Sequence, residues 1–367
     1  MCPPTYTTSN FKASPNRYLY TMSRCSVSSF DLGCAKTTNN IAILLVVDRM
    51  EHLTEYKLAV ETVNCYARMM GYIHKVIVLD PDLDTIKIDS EEIDPVQEIM
   101  EAEKAEKVLV AGHGDIGVVN PHNHSLFDYI QNTNNSILYI FYNRIFNWEI
   151  SSGSYLARNT NYSRQLLSYW ADYFYRLPNS FHGSDNGAIH AVFMDKFTDK
   201  TVKNSCNYLW QKSRSFSMLF DYEACVRHNL GINREIYEEI EENTGAILGR
   251  ITILRKGRSW VRDSGWTASK VSRNDFMFHG WKTSTMNKPV FNPWVFPFND
   301  TTFDTEKCSA QSTRVHELEE DDQWTLKAEL IVNQTENENI LEKLINKTQM
   351  DYSERVTKLK LIESVVH

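Results

Sequence analysis

The sequence has no apolar run long enough to cross a membrane. The longest run, Ile41 to Val47, ends at Asp48, whereas a membrane-spanning helix needs roughly 20 apolar residues. The amino terminus, from Met1 to Tyr6, lacks the basic start and the apolar centre of a signal peptide. We therefore expect no transmembrane helix, and the sequence shows no signal for entry into the secretory pathway.

Basic stripes and zinc-ribbon cysteines are also missing. The 39 Lys and Arg residues are scattered and outnumbered by 47 Asp and Glu, giving a net charge of −8, so we expect no nucleic-acid binding. The seven cysteines contain no Cys-x-x-Cys pair, which argues against a zinc ribbon. Disulfides, such as one between Cys206 and Cys225, and buried free thiols remain alternatives. Asn-x-Ser/Thr sequons, which also arise by chance in a chain this rich in Asn, Ser and Thr, begin at Asn123, Asn134, Asn161, Asn299, Asn333 and Asn346.

The order of the apolar segments predicts an α/β fold. The run 41–47 is typical of a parallel strand buried on both faces. An amphipathic segment from Leu53 to Met69, closed by Gly71, predicts a helix, and a strand follows at Lys75–Leu79. Strand, helix and strand in this order predict a right-handed βαβ unit. Further strands are predicted at 108–111, 137–142, 153–157 and 246–254, and further helices at 95–107, 125–131, 163–175 and 185–197.

Composition divides the chain into three parts. Residues 1–38 lack apolar periodicity and are predicted to be a poorly ordered lead-in. Residues 39–290 carry the α/β pattern and are predicted to form the main domain. Residues 291–367 are predicted to be an acidic, helical appendage.

Polar residues stand where two predicted strands end. Asp48 follows the first strand, and the triplet His113-Gly114-Asp115 follows the strand at 108–111. Ligands of open parallel sheets bind at this edge, so these side chains are expected to share one crevice. Carboxylates at such a place hold a hard divalent cation. The alternative is that Asp115 caps the turn before Gly117 and that His113 is an ordinary polar residue at a strand end.

Three later segments carry further candidates. Gly153 and Ser154 are small enough for the backbone to approach a sugar. Asp185 and Asn186 stand at a predicted helix start, where Asp185 has the alternative role of a plain N-cap. His279 and Lys282 suit a metal and a diphosphate leaving group, although a hydrogen-bonded histidine between aromatic neighbours is the simpler interpretation of His279.

Five ordered motifs between residues about 40 and 290 resemble a nematode family of GT-A-fold glycosyltransferase-like proteins. That family is similar to the fungal and plant galactosyl- and xylosyltransferases. The motifs are Tyr56-Lys-Leu-Ala59, Asp115-Ile-Gly-Val-Val-Asn-Pro121, Asn147-Trp-Glu149 with Gly153-Ser-Tyr155, His182-Gly-Ser-Asp-Asn-Gly187, and Asp275-Phe-Met-Phe-His-Gly-Trp-Lys282.

The resemblance implies a GT-A-like, mostly parallel central sheet flanked by helices. It also implies metal-dependent transfer of a sugar from a UDP-sugar to a glycan or other hydroxyl acceptor, such as a glycoprotein or glycolipid, with retention of anomeric configuration. The implied metal is Mn²⁺, with Mg²⁺ as the alternative, and the implied compartment is the Golgi. The implied metal ligands are His113, Asp115 and His279, the catalytic pair is Asp185 and Asn186, and the residues binding nucleotide or substrate are Asp48, Tyr56, Gly153, Ser154, His182, Gly183 and Lys282.

The triplet departs from the family pattern at His113, where an Asp is expected. Exchanging a carboxylate for a neutral imidazole removes one negative charge next to the cation. A rival hypothesis is therefore a catalytically weakened relative that binds nucleotide or glycan without turnover. A third is an interaction module whose acidic tail, Thr305 to His367, docks a partner.

Overall fold

The chain passes three times between two structural units. A computed structural model describes residues 7–9, 17–21, 41–47, 49–79, 107–111, 114–131, 133–134, 136–198, 200–289, 293–299, 303–308 and 323–366. Unit 1 comprises Met1–Asn132 and Asp263–Gln334, and unit 2 comprises Thr133–Arg262 and Thr335–His367. The predicted domain boundaries at residues 38 and 290 stay a prediction. The predicted helix 95–107, apart from its last residue, and most of the predicted lead-in lie outside the described residues.

Unit 1 contains the predicted βαβ arrangement. Strand β3 pairs in parallel with β4 and with β5, and the side chains of Ile41 to Leu45 on β3 are almost completely buried. This confirms the prediction of a parallel strand covered on both faces. Strand β2 adds an antiparallel edge to β4, and β1 pairs antiparallel with β2. The strands are β1 (Thr7–Ser9), β2 (Arg17–Thr21), β3 (Ile41–Val47), β4 (Ile73–Leu79) and β5 (Lys107–Ala111).

The predicted helix between β3 and β4 consists of two helices. Helix α1 (Met50–Glu55) ends at Tyr56, and helix α2 (Lys57–Met70) begins at the next residue. Gly71 closes α2 in the left-handed conformation, with φ of 69°, and its N–H bonds back to the carbonyl of Ala67. Glycine adopts this conformation without the steric cost that a Cβ brings, so the sequence located the end of α2 correctly.

The two segments of unit 1 meet in a short antiparallel pair, and the second segment adds an aromatic core. Strand β6 (Ile116–Val118) pairs with β12 (Met277–His279), and helix α3 (Leu126–Gln131) follows β6. The buried rings of Trp281 and Trp294 stack with centroids 5.2 Å apart. Further buried rings continue this core at Phe296, Phe298, Phe303 and Trp324.

Unit 2 contains a sheet of four strands in the order β8-β7-β10-β9. Strands β7 and β10 are parallel, whereas β8 and β9 pair antiparallel with their neighbours. The strands are β7 (Ile137–Tyr142), β8 (Ser154–Arg158), β9 (Ile236–Ile240) and β10 (Ile247–Leu254), and β11 (Val261–Asp263) ends on the first residue of the second segment of unit 1. The helices are α4 (Asn161–Ala171), α5 (Ser184–Phe197), α6 (Lys200–Lys212), α7 (Phe216–Leu230) and α8 (Gln334–Val366), of which α8 belongs to unit 2 from Thr335 onward.

The strand pairing is mixed, which corrects the expectation of a mostly parallel sheet. The described residues form parallel pairs at β3–β4, β3–β5 and β7–β10, and antiparallel pairs at β1–β2, β2–β4, β6–β12, β7–β8 and β9–β10. Sequence reasoning missed β9 because its pattern, Ile-Tyr-Glu-Glu-Ile, is short and contains two consecutive glutamates. A tight turn closed by Glu241 and Ala246 joins β9 to β10 as a hairpin, and hairpin strands are antiparallel.

Four of the seven cysteines form two disulfides and are therefore not buried free thiols. Cys206 and Cys225 join α6 to α7 with a Cα–Cα distance of 5.6 Å. Cys65 and Cys308 are joined across 243 residues within unit 1. The other cysteines lie outside the described residues. Among the described helices, none is both long and apolar enough to cross a membrane.

Removing the disulfide between α6 and α7 is expected to destabilise unit 2. Its ends are 19 residues apart, and closing a loop of this size contributes about 3 kcal/mol by restricting the unfolded chain. The double variant Cys206→Ser, Cys225→Ser should lower the free energy of unfolding by about that amount in denaturant titrations. The exposed neighbour variant Ser205→Ala should leave it unchanged. Equal stability of the double variant and the wild type would show that the cysteines are not joined in solution.

Candidate functional site

Pairing of β6 with β12 brings Asp115 next to His279. In the register of this pair, Ile116 lies opposite His279. Beyond the strand end, the carbonyl of Asp115 accepts hydrogen bonds from the N–H groups of Gly280, at 3.0 Å, and Trp281, at 2.9 Å. Two motifs that are far apart in the sequence are thereby held together by the backbone.

The side chains at this point form a charged cluster within unit 1. Nε2 of His279 lies 3.4 Å from Oδ1 of Asp115, and Nζ of Lys282 lies 3.9 Å from Oδ2 of the same carboxylate. The Asp115 side chain is only 4% exposed, whereas those of His279 and Lys282 are 22% and 44% exposed. The predicted residues Asp115, His279 and Lys282 are therefore together, with the histidine and the lysine open to solvent.

Asp263 completes the cluster, and sequence reasoning missed it. Its Oδ1 lies 2.8 Å from Nδ1 of His279, on the opposite side of the ring from Asp115. The Asp263 side chain is buried, with 7% of its surface exposed. In the sequence it ends a three-residue strand, and nothing in the segment Trp260-Val-Arg-Asp263 distinguishes it from other acids at strand ends.

Two glycines allow the close packing that shapes this cluster. A Cβ on Gly117 would lie 2.0 Å from Cε3 of Trp281, so the indole ring rests directly on the backbone of β6. Gly114 has φ of 81°, and a Cβ there would lie 2.8 Å from the ring of Tyr56. These contacts explain why glycines stand on both sides of Asp115.

Tyr56 lies on the same side of unit 1 as Lys282. The ring is mostly buried, with 8% of the residue exposed, and Nζ of Lys282 lies 5.9 Å from its centroid. The predicted nucleotide-binding residues Tyr56 and Lys282 are therefore neighbours. The predicted residues Asp48 and His113 lie outside the described residues.

The donor set at Asp115 and His279 fits a divalent cation. Oδ1 of Asp115 is buried without a hydrogen-bond partner, and an unsatisfied carboxylate oxygen is costly unless a cation or water binds it. If Nδ1 of His279 carries the proton that bonds Asp263, Nε2 presents a lone pair toward Asp115. Among the described residues, no group of three or more His, Cys, Asp or Glu is arranged to hold a metal. Asp115 and His279 would supply two ligands to such a cation.

A second polar cluster lies in unit 2, at the start of α5. The Ser152 hydroxyl lies 2.6 Å from Oδ2 of Asp185 and also contacts the side-chain amide of Asn186. A hydroxyl has one proton to donate. If Ser152 donates it to Asp185, the hydroxyl must accept a hydrogen bond from Asn186, so the amide nitrogen of Asn186 faces Ser152. Ser152, which the sequence did not single out, thus holds both predicted catalytic residues.

The turn before α5 has an unusual backbone. Gly183 and Ser184 have φ values of 69° and 46°, and Nδ1 of His182 accepts a hydrogen bond from the Ser184 N–H at 2.9 Å. Left-handed backbone at a residue other than glycine is strained and is concentrated at functional sites. The turn places Asp185 in the first turn of α5, where the helix dipole stabilises a carboxylate.

His190 connects α5 to the loop that carries Ser152. Its Nε2 accepts a hydrogen bond from the N–H of Ile150 at 3.2 Å, and Nδ1 lies 2.6 Å from the carbonyl of Asn186. A neutral ring with its proton on Nδ1 satisfies both contacts. Burial lowers the pKa of His190 to about 3, because a desolvated imidazolium is unfavourable.

The remaining predicted residues lie nearby in unit 2 with different surroundings. Gly153 is half-buried. Ser154 is completely buried, and its hydroxyl accepts a hydrogen bond from Nε1 of Trp260 at 3.0 Å. His182 is half-buried, and its carbonyl accepts a hydrogen bond from Trp210 at 2.9 Å. Their assignment to substrate binding stays a prediction.

The motif Asn147-Trp-Glu149 is held by a buried lysine. The ammonium of Lys256 donates to the carbonyls of Arg144 and Asn147, and burial lowers its pKa to about 7. Glu149 pairs with Arg144 at 3.2 Å and accepts a hydrogen bond from the Asn147 side chain. These contacts fix the loop that leads to Ser152, so the motif has a structural explanation.

A family model described as "Protein of unknown function, DUF273" matches residues 63–293, which is more than half of the chain. The chain belongs to the DUF273 family. The match includes the motifs that contain Asp115, Asp185 and His279. No curated protein matches this DUF273 chain.

Two solved glycosyltransferase structures are similar to parts of the DUF273 chain. The first is a glycosyltransferase involved in the glycosylation of the major capsid of PBCV-1. It is 19% identical, and the match covers 38% of this chain and 69% of that protein's chain, with a TM-score of 0.31. The second is the apo form of GlyE from Streptococcus pneumoniae TIGR4, which is 12% identical over 46% of this chain and 48% of its own, with a TM-score of 0.30. TM-scores of this size do not establish a shared fold.

Gly117→Ala is expected to displace Trp281 and disturb the Asp115 cluster. Overpacking of this kind typically costs about 1–3 kcal/mol, and denaturant titration measures the loss. The cost should be smaller when Trp281→Leu makes room for the added methyl group, so the two changes form a double-mutant cycle. Additive effects in that cycle would contradict the direct contact between Gly117 and Trp281.

Acid is expected to destabilise unit 2 through His190. In the unfolded chain a histidine has a pKa of about 6.5, whereas the pKa of folded His190 is about 3. Below pH about 6.5 the unfolded state therefore binds a proton that the folded state does not, and stability falls by up to about 1.4 kcal/mol per pH unit. His190→Gln should give a shallower slope of unfolding free energy between pH about 6.5 and 5. The exposed control His228→Gln should keep the wild-type slope, and an unchanged slope for His190→Gln would refute a neutral folded histidine.

Proposed function

We propose that this DUF273 chain is a glycosyltransferase of the GT-A type that transfers a sugar from a UDP-sugar to a hydroxyl of a glycan, with Mn²⁺ as cofactor and retention of anomeric configuration. The observation that carries the proposal is the cluster of Asp115, His279 and Lys282. His279 and Lys282 both lie within 4 Å of the Asp115 carboxylate. The resemblance assigns all three residues, which come from two distant motifs, to metal or phosphate binding.

Charge is the main requirement at a diphosphate leaving group. Bound Mn²⁺ would neutralise part of the diphosphate charge as the sugar departs. Lys282 supplies a second positive charge, and its half-exposed side chain is able to reach a ligand in solvent. Asp115 and His279 would hold the cation, and Tyr56 packs beside the lysine. The charged side chains are already in position, and preorganised charges of this kind stabilise a leaving group electrostatically.

The roles of Asp185 and Asn186 follow from the resemblance. Asp185 would stabilise the positive charge that develops on the anomeric carbon, and Asn186 would bind the sugar. In support, Ser152 and the helix dipole hold the Asp185 carboxylate in place as an anion. The strained turn at Ser184 further favours a functional role for the start of α5.

Binding of a nucleotide sugar without turnover is the second candidate function. It is favoured by the histidine at position 113, where the resemblance implies an aspartate. A metal site that lacks one of its carboxylate ligands binds a divalent cation more weakly.

We also propose that the chain works in an oxidising compartment, with the Golgi implied by the resemblance. Disulfides persist in oxidising compartments and are rare in the cytosol. The Cys65–Cys308 and Cys206–Cys225 disulfides support this assignment.

Calorimetric titration of UDP, with and without Mn²⁺, tests the proposal. UDP should bind only when Mn²⁺ is present, and Asp115→Ala should abolish this binding. The matched control Glu306→Ala removes an exposed carboxylate of unit 1 and should bind UDP like the wild type. Absence of Mn²⁺-dependent binding by the folded wild type would reject the donor site, and the transferase proposal with it.

His113→Asp separates the two candidate functions. Changing the surroundings of a metal commonly alters its affinity by roughly 10–100-fold. Restoring the carboxylate should strengthen Mn²⁺-dependent UDP binding by about this factor. If the wild type binds UDP but hydrolyses and transfers no UDP-sugar, while His113→Asp does so, the native chain is a binding protein. Turnover by the wild type would establish the transferase.

A further inference from the structure

Among Asp115, Asp263, His279 and Lys282, which form the unit 1 cluster, Asp263 is the member to which the sequence motifs assign no role. It touches the ring of His279 through Nδ1, at 2.8 Å, while Asp115 faces Nε2 at 3.4 Å. The ring therefore lies between two carboxylates with different contact lengths. The shorter contact falls within the usual hydrogen-bond range of about 2.7–3.2 Å, and the longer one does not.

We propose that Asp263 is a positioning residue that keeps the proton of His279 on Nδ1 and turns Nε2 toward Asp115. The proposal rests on the proposed function, because the cation that Asp115 and His279 would hold gives this arrangement its purpose. Asp263 would act on that cation only through the His279 ring, which it contacts at Nδ1.

Burial makes Asp263 suited to this role. Its side chain is 7% exposed and that of Asp115 is 4% exposed, whereas the histidine ring between them is 22% exposed. A hydrogen bond from Nδ1–H to a buried carboxylate is shielded from competing water, so it fixes both the rotation of the ring and its tautomer. Metal-binding histidines generally donate their second N–H to such an acceptor.

The state of Asp115 agrees with this arrangement. Its Oδ1 is buried and has no hydrogen-bond partner. If the proton of His279 were on Nε2, that N–H would point at Oδ1 and a normal hydrogen bond would be expected at this place. The longer separation of 3.4 Å instead fits two acceptors that face each other, which is the arrangement that a cation bridges.

The backbone holds both sides of the ring. Asp263 ends β11, and His279 ends β12. On the other side, the Asp115 carbonyl is bonded to Gly280 and Trp281. With the backbone held on both sides, the contact with Asp263 restricts the rotation of the His279 ring.

Nitrogen NMR of the metal-free wild type tests the tautomer without any metal or substrate. Long-range proton–nitrogen spectra, recorded well above the usual histidine pKa of about 6.5, distinguish the protonated ring nitrogen from the unprotonated one. His279→Gln identifies the signals by their disappearance. The proposal predicts a proton on Nδ1 alone, and a proton on Nε2, or on both nitrogens, would overturn it.

Asp263→Ala tests whether the carboxylate is the cause. The variant should lose the fixed Nδ1–H pattern and bind Mn²⁺ alone about 10–100-fold more weakly in calorimetric titration. If the alanine variant does not fold, Asp263→Leu is used instead, because leucine keeps more of the side-chain volume and has no hydrogen-bond acceptor. A folded variant with the wild-type NMR pattern and the wild-type Mn²⁺ affinity would overturn the proposal.

A matched control removes a carboxylate that holds the neighbouring loop. Glu55 accepts hydrogen bonds from Thr283 and Ser284, so Glu55→Ala should loosen this loop and leave the His279 ring pattern unchanged. A change of the ring pattern in Glu55→Ala as large as in Asp263→Ala would show a general structural effect and overturn the specific role of Asp263. If the wild type binds no Mn²⁺, the proposed function fails, while the NMR pattern still decides the role of Asp263.

Discussion

The candidate site in unit 1 depends on the backbone bonds that join Asp115 to Gly280 and Trp281. These bonds extend the pairing of β6 with β12, which joins two segments that are far apart in the sequence. The stacked tryptophans secure this junction from the core side, and Gly117 lets Trp281 lie against the strand. The packing of the aromatic core therefore also helps to determine where the polar cluster lies.

Both units place polar groups in buried positions and then satisfy most of them. In unit 2, Lys256 bonds two carbonyls and His190 stays neutral between two backbone groups. These contacts are structural, since they fix the loop 143–152 and the start of α5. Asp115 has a buried oxygen without a hydrogen-bond partner, as do both carboxylate oxygens of Glu223 in unit 2. Asp115 differs because it lies next to His279 and Lys282, whose side chains are partly exposed to solvent. An incomplete buried carboxylate beside a histidine and a lysine is what distinguishes a candidate binding site from a stabilising network.

Sequence patterns predicted the elements well and the strand directions only in part. Long apolar runs identified β3 and β7, and Gly71 marked the end of α2, because burial and left-handed backbone leave direct traces in the sequence. Strands β2 and β9 were not predicted, since pairing through the backbone does not need an apolar side chain. For the site, motifs singled out Asp115, His279 and Lys282, and the fold brings these three residues together. Asp263 and Ser152 were missed because a single Asp or Ser acquires its partner only through tertiary folding.

Crystals grown with UDP and Mn²⁺ and measured at the manganese absorption edge would show where the cation binds. We expect one anomalous peak in unit 1, within direct bonding distance, about 2.0–2.3 Å, of an Asp115 carboxylate oxygen and of Nε2 of His279. Bound UDP with manganese elsewhere, or with Nε2 of His279 bonded to Asp115 and no metal between them, would contradict this expectation.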